Sequence, residues 1–193
     1  QTVKKLDADL DGDGVKEQIE LSVAKNGAYV LRAGKLAAKC RFSDFEDPSK
    51  LSVETVDFDK ADNTLQLRVI FQSGTDSLMI NRDDYYVATG RKLKRVLSVK
   101  TQTQSLRIAG NGIVYLTHPK SFYKEVSKRV FDKQAMAFNE IEQPFAYVGM
   151  KVQTQKSFPI FYLAREKAAL VAWVKSASEI EVLLAKNDRY LVK

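Results

Sequence analysis

The stretch Asp9-Leu10-Asp11-Gly12-Asp13-Gly14-Val15-Lys16-Glu17 leaves this chain few ways to fold around it. Its four carboxylates fall at relative positions 1, 3, 5 and 9, where a tight turn makes them converge on one hard cation. Gly12 and Gly14 give the backbone the freedom for that turn. The carbonyl of Val15, at position 7, is a further candidate oxygen. Ca²⁺ takes six to eight oxygens at about 2.3–2.6 Å, which a short acidic loop can supply. Directly after the loop, Ile19, Leu21 and Val23 alternate with Glu20 and Ser22, the period of a strand. A cation loop between two strands is the arrangement this predicts.

Two other readings of the same residues stay open. An EF-hand-like or dockerin-like loop also has acids at 1, 3 and 5, with Gly14 and Glu20 at positions 6 and 12. It needs a helix on each side, however, and Thr2 to Leu6 is short and β-branched at its start. Lys16 also stands at position 8, where an EF-hand carries an apolar residue. The remaining reading is an acidic turn without metal. On these residues the chain resembles the calcium loop of FG-GAP/VCBS repeats, the blades of integrin-type β-propellers. The resemblance implies Asp9, Asp11, Asp13 and Glu17 as side-chain ligands and Val15 as the carbonyl donor. It also implies an ion that staples a hairpin loop and does not activate water.

The β rhythm continues well past the loop. Lys25-Asn26-Gly27 predicts a hairpin turn, Tyr29 to Arg32 a returning strand, and Leu36 to Phe42 a third. A loop is predicted from Asp44 to Lys50, around Pro48. Ser52 to Asp59 then restarts the pattern. Asp57, Asp59 and Asp62 precede an alternating run from Leu65 to Phe71, so a second, degenerate copy of the opening unit lies 48 residues on. Lys60-Ala61-Asp62-Asn63 replaces its glycines, which makes a second bound ion doubtful. Turns are predicted at 73–76 and at Asn81-Arg82-Asp83-Asp84, with strands between and after them, and a hairpin at Ala109-Gly110-Asn111-Gly112. After His118-Pro119-Lys120 the span 121–131 fits either a short helix or an irregular β excursion.

From about Phe145 short aromatic-rich strands follow at small spacings, which a small barrel closes without open edges. Ala177-Ser178-Glu179-Ile180-Glu181-Val182-Leu183 and Arg189-Tyr190-Leu191-Val192 resemble the middle and closing strands of a bacterial SH3 domain, with Ala177 or Ser178 near the usual glycine. That family implies binding of cell-wall peptides or a spacer role. Tyr162, Trp173 and Tyr190 are candidates for a ligand groove, or alternatively for the core of the barrel. The expected fold is mostly β: a VCBS-like sheet or partial propeller over 1–117, a connector over 118–144, and an SH3-like barrel over 145–193. Two blade-like copies cannot close a propeller alone, so a curved sheet or a sandwich serves equally for the first part.

Composition narrows the function. A 45% apolar content supports real cores, and no apolar run is long enough for a spanning helix. A start at Gln1 predicts a processed chain preceded by a signal peptide. The single cysteine, Cys40, permits no intrachain disulfide, and a buried structural thiol is its expected role rather than a dyad with His118. The lone His118 cannot make a zinc site. Net charge is +7, with the basic excess after residue 100, which suits anionic surfaces such as cell-wall polymers. The reading is a non-catalytic binding or scaffolding protein, exported to the periplasm or cell surface, with Ca²⁺ as structural ion and a cell-wall polymer or envelope protein as partner. The rival is an envelope hydrolase, for which Glu140 and Glu142 are a candidate carboxylate pair. Nucleic-acid binding is disfavoured, because the basic residues are dispersed rather than gathered in a stripe.

Overall fold

Hairpin after hairpin folds this sequence, because alternating apolar residues are punctuated every few positions by turn formers. The computed structural model describes residues 2–23, 28–41, 50–73, 80–162, 168–186 and 189–193. The turns read at Lys25-Asn26-Gly27, around Pro48 and at 74–76 lie outside the described residues. The first sheet is an antiparallel meander of β1 (Thr2–Ala8), β2 (Glu17–Val23), β3 (Ala28–Ala33) and β4 (Leu36–Arg41). The second repeats it with β5 (Lys50–Val56), β6 (Gln66–Ser73), β7 (Ile80–Thr89) and β8 (Lys92–Lys100). The third repeats it again with β9 (Ser105–Ile108), β10 (Ile113–Pro119), β11 (Lys124–Asp132) and β12 (Ala137–Ile141). Among the described residues no helix is long and apolar enough to cross a membrane.

Residues 1–118 and 127–141 form one compact unit, and residues 119–126 and 142–193 a second. In the first unit the second sheet lies between the other two, and period-two alternation gives it two apolar faces. Leu51, Val53, Leu67, Val69, Phe71 and Tyr86 pack with Ile19, Leu21, Tyr29 and Leu31 of the first sheet. Tyr85, Val87, Leu97 and Val99, with Phe58, pack with Val114, Leu116, Phe131 and Phe138 around the third. Tyr85 and Tyr86 are neighbours in sequence and serve opposite cores. A register shift in β8 opposite this pair keeps both its ends apolar on the correct face.

Two sequence expectations change here. Asn81-Arg82-Asp83-Asp84 is not a turn but the first half of β7. Its carboxylates are matched by cations from adjacent strands, as Arg68 Nε donates to Asp83 Oδ2 at 2.9 Å. The span 121–131 resolves to β: Lys124–Asp132 is strand β11, so much of the segment expected as a connector supplies the third sheet.

The second unit contains β13 (Ala146–Gln153), β14 (Phe158–Phe161), β15 (Leu170–Val174), β16 (Glu179–Lys186) and β17 (Arg189–Val192). They make a three-stranded sheet in the order β13-β16-β17 and a β14-β15 hairpin. Ala177, one of the two residues read near the expected glycine, sits in the turn before β16 with φ 62°. A side chain in that left-handed region costs roughly 1–2 kcal/mol, partly offset by the greater unfolded freedom of glycine. Ala177→Gly is therefore expected to stabilise the second unit by about 0.5–1 kcal/mol. A chemical denaturation curve followed by the fluorescence of Trp173, the sole tryptophan, reads this.

Candidate metal centre

The β1–β2 connection places the acidic loop at one end of the first sheet. Ala8 pairs with Glu17, so the strands are in register up to the edge of the loop. Leu10 turns inward and is buried, anchoring the loop to the core. Its N–H donates to Glu17 Oε2 at 2.8 Å. Asp9 organises the turn: Oδ1 accepts from the Gly12 N–H at 2.7 Å and Oδ2 from the Gly14 N–H at 2.9 Å. Both glycines have positive φ, 80° and 85°, so a side chain at either would strain the loop.

Asp9, Asp11 and Glu17 each bring a carboxylate oxygen to within 4.8 Å of the others. Asp13 is not one of these three; its Oδ1 accepts the Val15 N–H at 2.7 Å. The Val15 side chain points to solvent. The donor set fits a hard divalent cation, since it is all carboxylate oxygen with no thiolate or imidazole. A carboxylate has about four lone-pair sites, so Asp9 can hold two backbone N–H groups and still face an ion. Three like charges this close repel one another, and a bound dication would remove that repulsion.

The second loop shares two of these bonds and differs at its first aspartate, since Asp9 holds the amides three and five residues on and Asp57 the amide two residues on. Asp57 Oδ1 accepts from the Asp59 N–H at 2.9 Å. Asp59 Oδ1 accepts from the Ala61 N–H at 3.2 Å, just as Asp11 Oδ1 accepts from Asp13 at 3.3 Å. Phe58 is buried where Leu10 is, and its N–H donates to Gln66 Oε1 at 2.7 Å. Gln66 opens β6 as Glu17 opens β2. The 48-residue offset read from the sequence thus recurs in two of the loop's hydrogen bonds, with one extra residue before the strand and glutamine in place of glutamate.

Known protein families, curated proteins and solved structures contain no match to this chain. Its residues alone therefore bear the functional argument.

The remaining candidates fall in separate places. His118 lies in β10, with Nδ1 3.0 Å from Gln104 Nε2 and Nε2 3.4 Å from Ser127 Oγ. Cys40 instead meets Arg95 Nη1 at 3.2 Å, so the two do not form a dyad. Glu140 accepts from Arg129 Nη2 at 2.9 Å. Of the basic cluster at 91–95, Lys94 Nζ donates to the Ala135 carbonyl at 2.8 Å and Arg95 turns to Asp84.

Tyr162, Trp173 and Tyr190 are solvent-facing rather than core: 76%, 63% and 43% exposed. Tyr162 and Trp173 belong to the β14–β15 hairpin and its loop. Tyr190 stands on β17, where its ring lies 5.5 Å from that of Phe122. An open depression of about 350 Å³ between β6, β7 and β9 is lined by Arg68, Asp83, Tyr85 and Gln104. Its cation is already committed, since Arg68 is shared between Asp83 and Glu54. Burial pushes the Asp83 carboxyl above its ordinary value against the opposing pull of Arg68, and burial likewise raises the Tyr85 phenol to about 12.

The buried pair Asp83 and Asp84 escapes sequence reasoning. A run of Asn-Arg-Asp-Asp has the composition of a turn, and the partners that permit its burial are distant in sequence. The local sign that a strand continues here is the aromatic and β-branched run Tyr85-Tyr86-Val87.

Proposed function

We propose that this is a non-catalytic binding or scaffolding protein of the bacterial envelope, exported to the periplasm or cell surface, with one structural Ca²⁺. The convergence of Asp9, Asp11 and Glu17 on a turn between paired strands carries the reading. The ion staples the first hairpin of a partial propeller whose three VCBS-like blades are the three meanders. Repeated four-stranded sheets layered through common cores support that description. The second unit is read as a small SH3-like module that presents the binding surface. Its support is the exposure of Tyr147, Phe161, Tyr162, Leu170 and Trp173, whereas the first unit buries Tyr29, Tyr85 and Tyr86. Exposed apolar side chains mark interaction sites where they form a patch, and flat aromatic rings in the more basic half of the chain suit an anionic cell-wall polymer.

Titration calorimetry on chelator-treated protein tests the ion. One Ca²⁺ is expected to bind with micromolar to low-millimolar affinity and to raise the melting temperature. At a hundredfold excess over Kd the stabilisation is about 2.7 kcal/mol. No heat and no shift would overturn the calcium reading. Cosedimentation with insoluble peptidoglycan tests the surface. Trp173→Ala should reduce the bound fraction severalfold at unchanged melting temperature, and equal retention of variant and parent would remove the cell-wall ligand.

A further inference from the structure

Two polar atoms on buried side chains of the first unit have no protein partner. On the face of the second sheet that meets the third, Arg68 stands directly opposite Glu54 on one side and Tyr85 on the other, with Asp83 two residues before Tyr85. Arg68 bridges the carboxylates: Nη1 donates to Glu54 Oε1 at 2.7 Å, and Nε and Nη2 both donate to Asp83 Oδ2. Asp83 Oδ1 and the Tyr85 hydroxyl take no hydrogen bond among the described residues, although Asp83 and Tyr85 are only 2% and 3% exposed. Neither atom belongs to the sealed unpartnered set, which is Asn81 Oδ1, Arg82 Nε and Arg129 Nε. Both side chains line the depression of about 350 Å³ between β6, β7 and β9, and the two atoms open onto it.

The rest of the wall continues the pattern. Thr101 and Ser105 bring hydroxyls that likewise have no partner among the described residues. Arg68 uses three of its five N–H groups on Glu54 and Asp83 and keeps two. Gln104 is held in place, since its Oε1 accepts the Lys100 N–H at 3.0 Å and its Nε2 lies 3.0 Å from His118 Nδ1. Leu106 and Ile108 add an apolar side.

We propose that this depression binds a neutral polyhydroxyl ligand, a single sugar ring, with its hydroxyls on Asp83, Tyr85 and Arg68 and its C–H face on Leu106 and Ile108. Charge and donor count select that class. One guanidinium faces two carboxylates, so an anion would meet net negative charge. An ammonium satisfies Asp83 Oδ1 but offers no acceptor to the phenol, the guanidinium or the two hydroxyls. A sugar hydroxyl does both: it donates to Asp83 Oδ1 and accepts from Tyr85 or Arg68. Burial pushes the Tyr85 phenol up to about 12, so it keeps its proton and remains a donor. Polar groups on buried side chains cost stability when nothing meets them. The volume is near the lower end for ligand pockets, which suits one ring rather than a chain. The site uses neither the calcium loop nor the aromatic surface of the second unit, so it stands or falls apart from the function proposed above.

Titration of the isotope-labelled full chain with glucose, galactose, mannose and N-acetylglucosamine, followed by amide nuclear magnetic resonance, tests the proposal. At least one sugar is expected to bind saturably and weakly, as suits so small a ligand, with shifts centred on the amides of residues 101–108. Glucuronate, a similar ring carrying a carboxylate, should bind more weakly than that sugar. Tyr85→Phe removes only the unpartnered hydroxyl, so it should keep the parent melting temperature and bind about fivefold more weakly, the loss of one hydrogen bond. Ser105→Ala, at an exposed position, keeps the test decisive even if Tyr85→Phe fails to fold, and should bind about twofold more weakly. The proposal is overturned if none of the four sugars gives a saturable shift, if glucuronate binds tightest, or if the folded variants bind like the parent. Shifts centred on Trp173 instead would put the sugar on the second unit, which defeats this inference and supports the surface proposed there.

Discussion

Asp84→Ala is expected to destabilise the first unit by about 3–5 kcal/mol, the range seen when one partner of a buried charge cluster is removed. Asp84 is 1% exposed, in the middle of β7, and faces the first sheet. Its Oδ2 accepts from the Tyr29 hydroxyl at 2.7 Å and lies 3.1 Å from Arg82 Nη2 and 3.4 Å from Arg95 Nη1. Its Oδ1 accepts from Ser98 Oγ at 2.6 Å. The Tyr29 and Tyr86 hydroxyls are 2.6 Å apart, so they share one chain of donors that ends on the carboxylate. Burial raises both phenols well above their ordinary value, which keeps them protonated as donors.

Alanine would leave two guanidinium groups facing each other across a void, beside Cys40, with no anion between them. Repulsion and an unmade hydrogen-bond set then add to the cavity cost. Asp84→Asn keeps the shape and loses the charge, so about 1.5–3 kcal/mol is expected. Tyr29→Phe removes one hydroxyl and should cost about 1 kcal/mol. Urea denaturation followed by far-ultraviolet circular dichroism measures the series; Trp173 fluorescence is unsuitable because that residue belongs to the other unit. A loss under about 1 kcal/mol for Asp84→Ala would mean that the network is neutral to stability, as replaced buried charges sometimes are.

The contrast between this cluster and the Asp9 loop explains what the sequence makes legible. The loop is largely a local object: its side-chain hydrogen bonds join residues at most seven apart, while one backbone bond, from the Leu65 N–H to the Asp9 carbonyl at 3.2 Å, ties it to the second sheet. Spacing and glycine placement therefore encode most of it directly, whereas its 48-residue echo is legible from the aspartate spacing alone. Asp84 takes its meaning from Tyr29, 55 residues away, and nothing near residue 84 announces the tyrosine. Lys133 is a similar case, a lysine in a turn until the fold brings it to Asp59. The span 121–131 was open between helix and strand because Phe122, Val126 and Val130 satisfy a helical spacing by chance. Partner strands decide such a segment, and β11 pairs with β12 from Lys128↔Ile141 to Asp132↔Ala137. Barrel closure had the weakest local warrant, since short strands state their period but not which edges meet. The aromatics of the second unit were ambiguous for a like reason: a tyrosine reads the same in a small core and on a binding face.

Asp9→Ala and Asp11→Ala should both abolish ion binding yet differ sharply in what else they cost, and the difference separates ligand from scaffold. Asp11 contributes one long hydrogen bond, to the Asp13 N–H at 3.3 Å, and is exposed. Without ion, Asp11→Ala should leave the melting temperature of chelator-treated protein within about 0.5 kcal/mol of the parent, the usual range for a surface change. It should even gain slightly by relieving repulsion with Asp9 and Glu17. Asp9 holds the amides of Gly12 and Gly14, and hydrogen bonds to a charged acceptor contribute about 1.5–3 kcal/mol in favourable settings. Asp9→Ala is therefore expected to cost about 2–4 kcal/mol even in chelator, because two bonds are lost at once on a partly exposed loop. Adding Ca²⁺ to the parent widens the gap to both variants by the same binding term. Equal melting of both variants with and without Ca²⁺ would show an acidic turn that binds no ion. An Asp11→Ala variant that retains full Ca²⁺ uptake would move the ligand set elsewhere on the loop, with Asp13 the nearest remaining carboxylate.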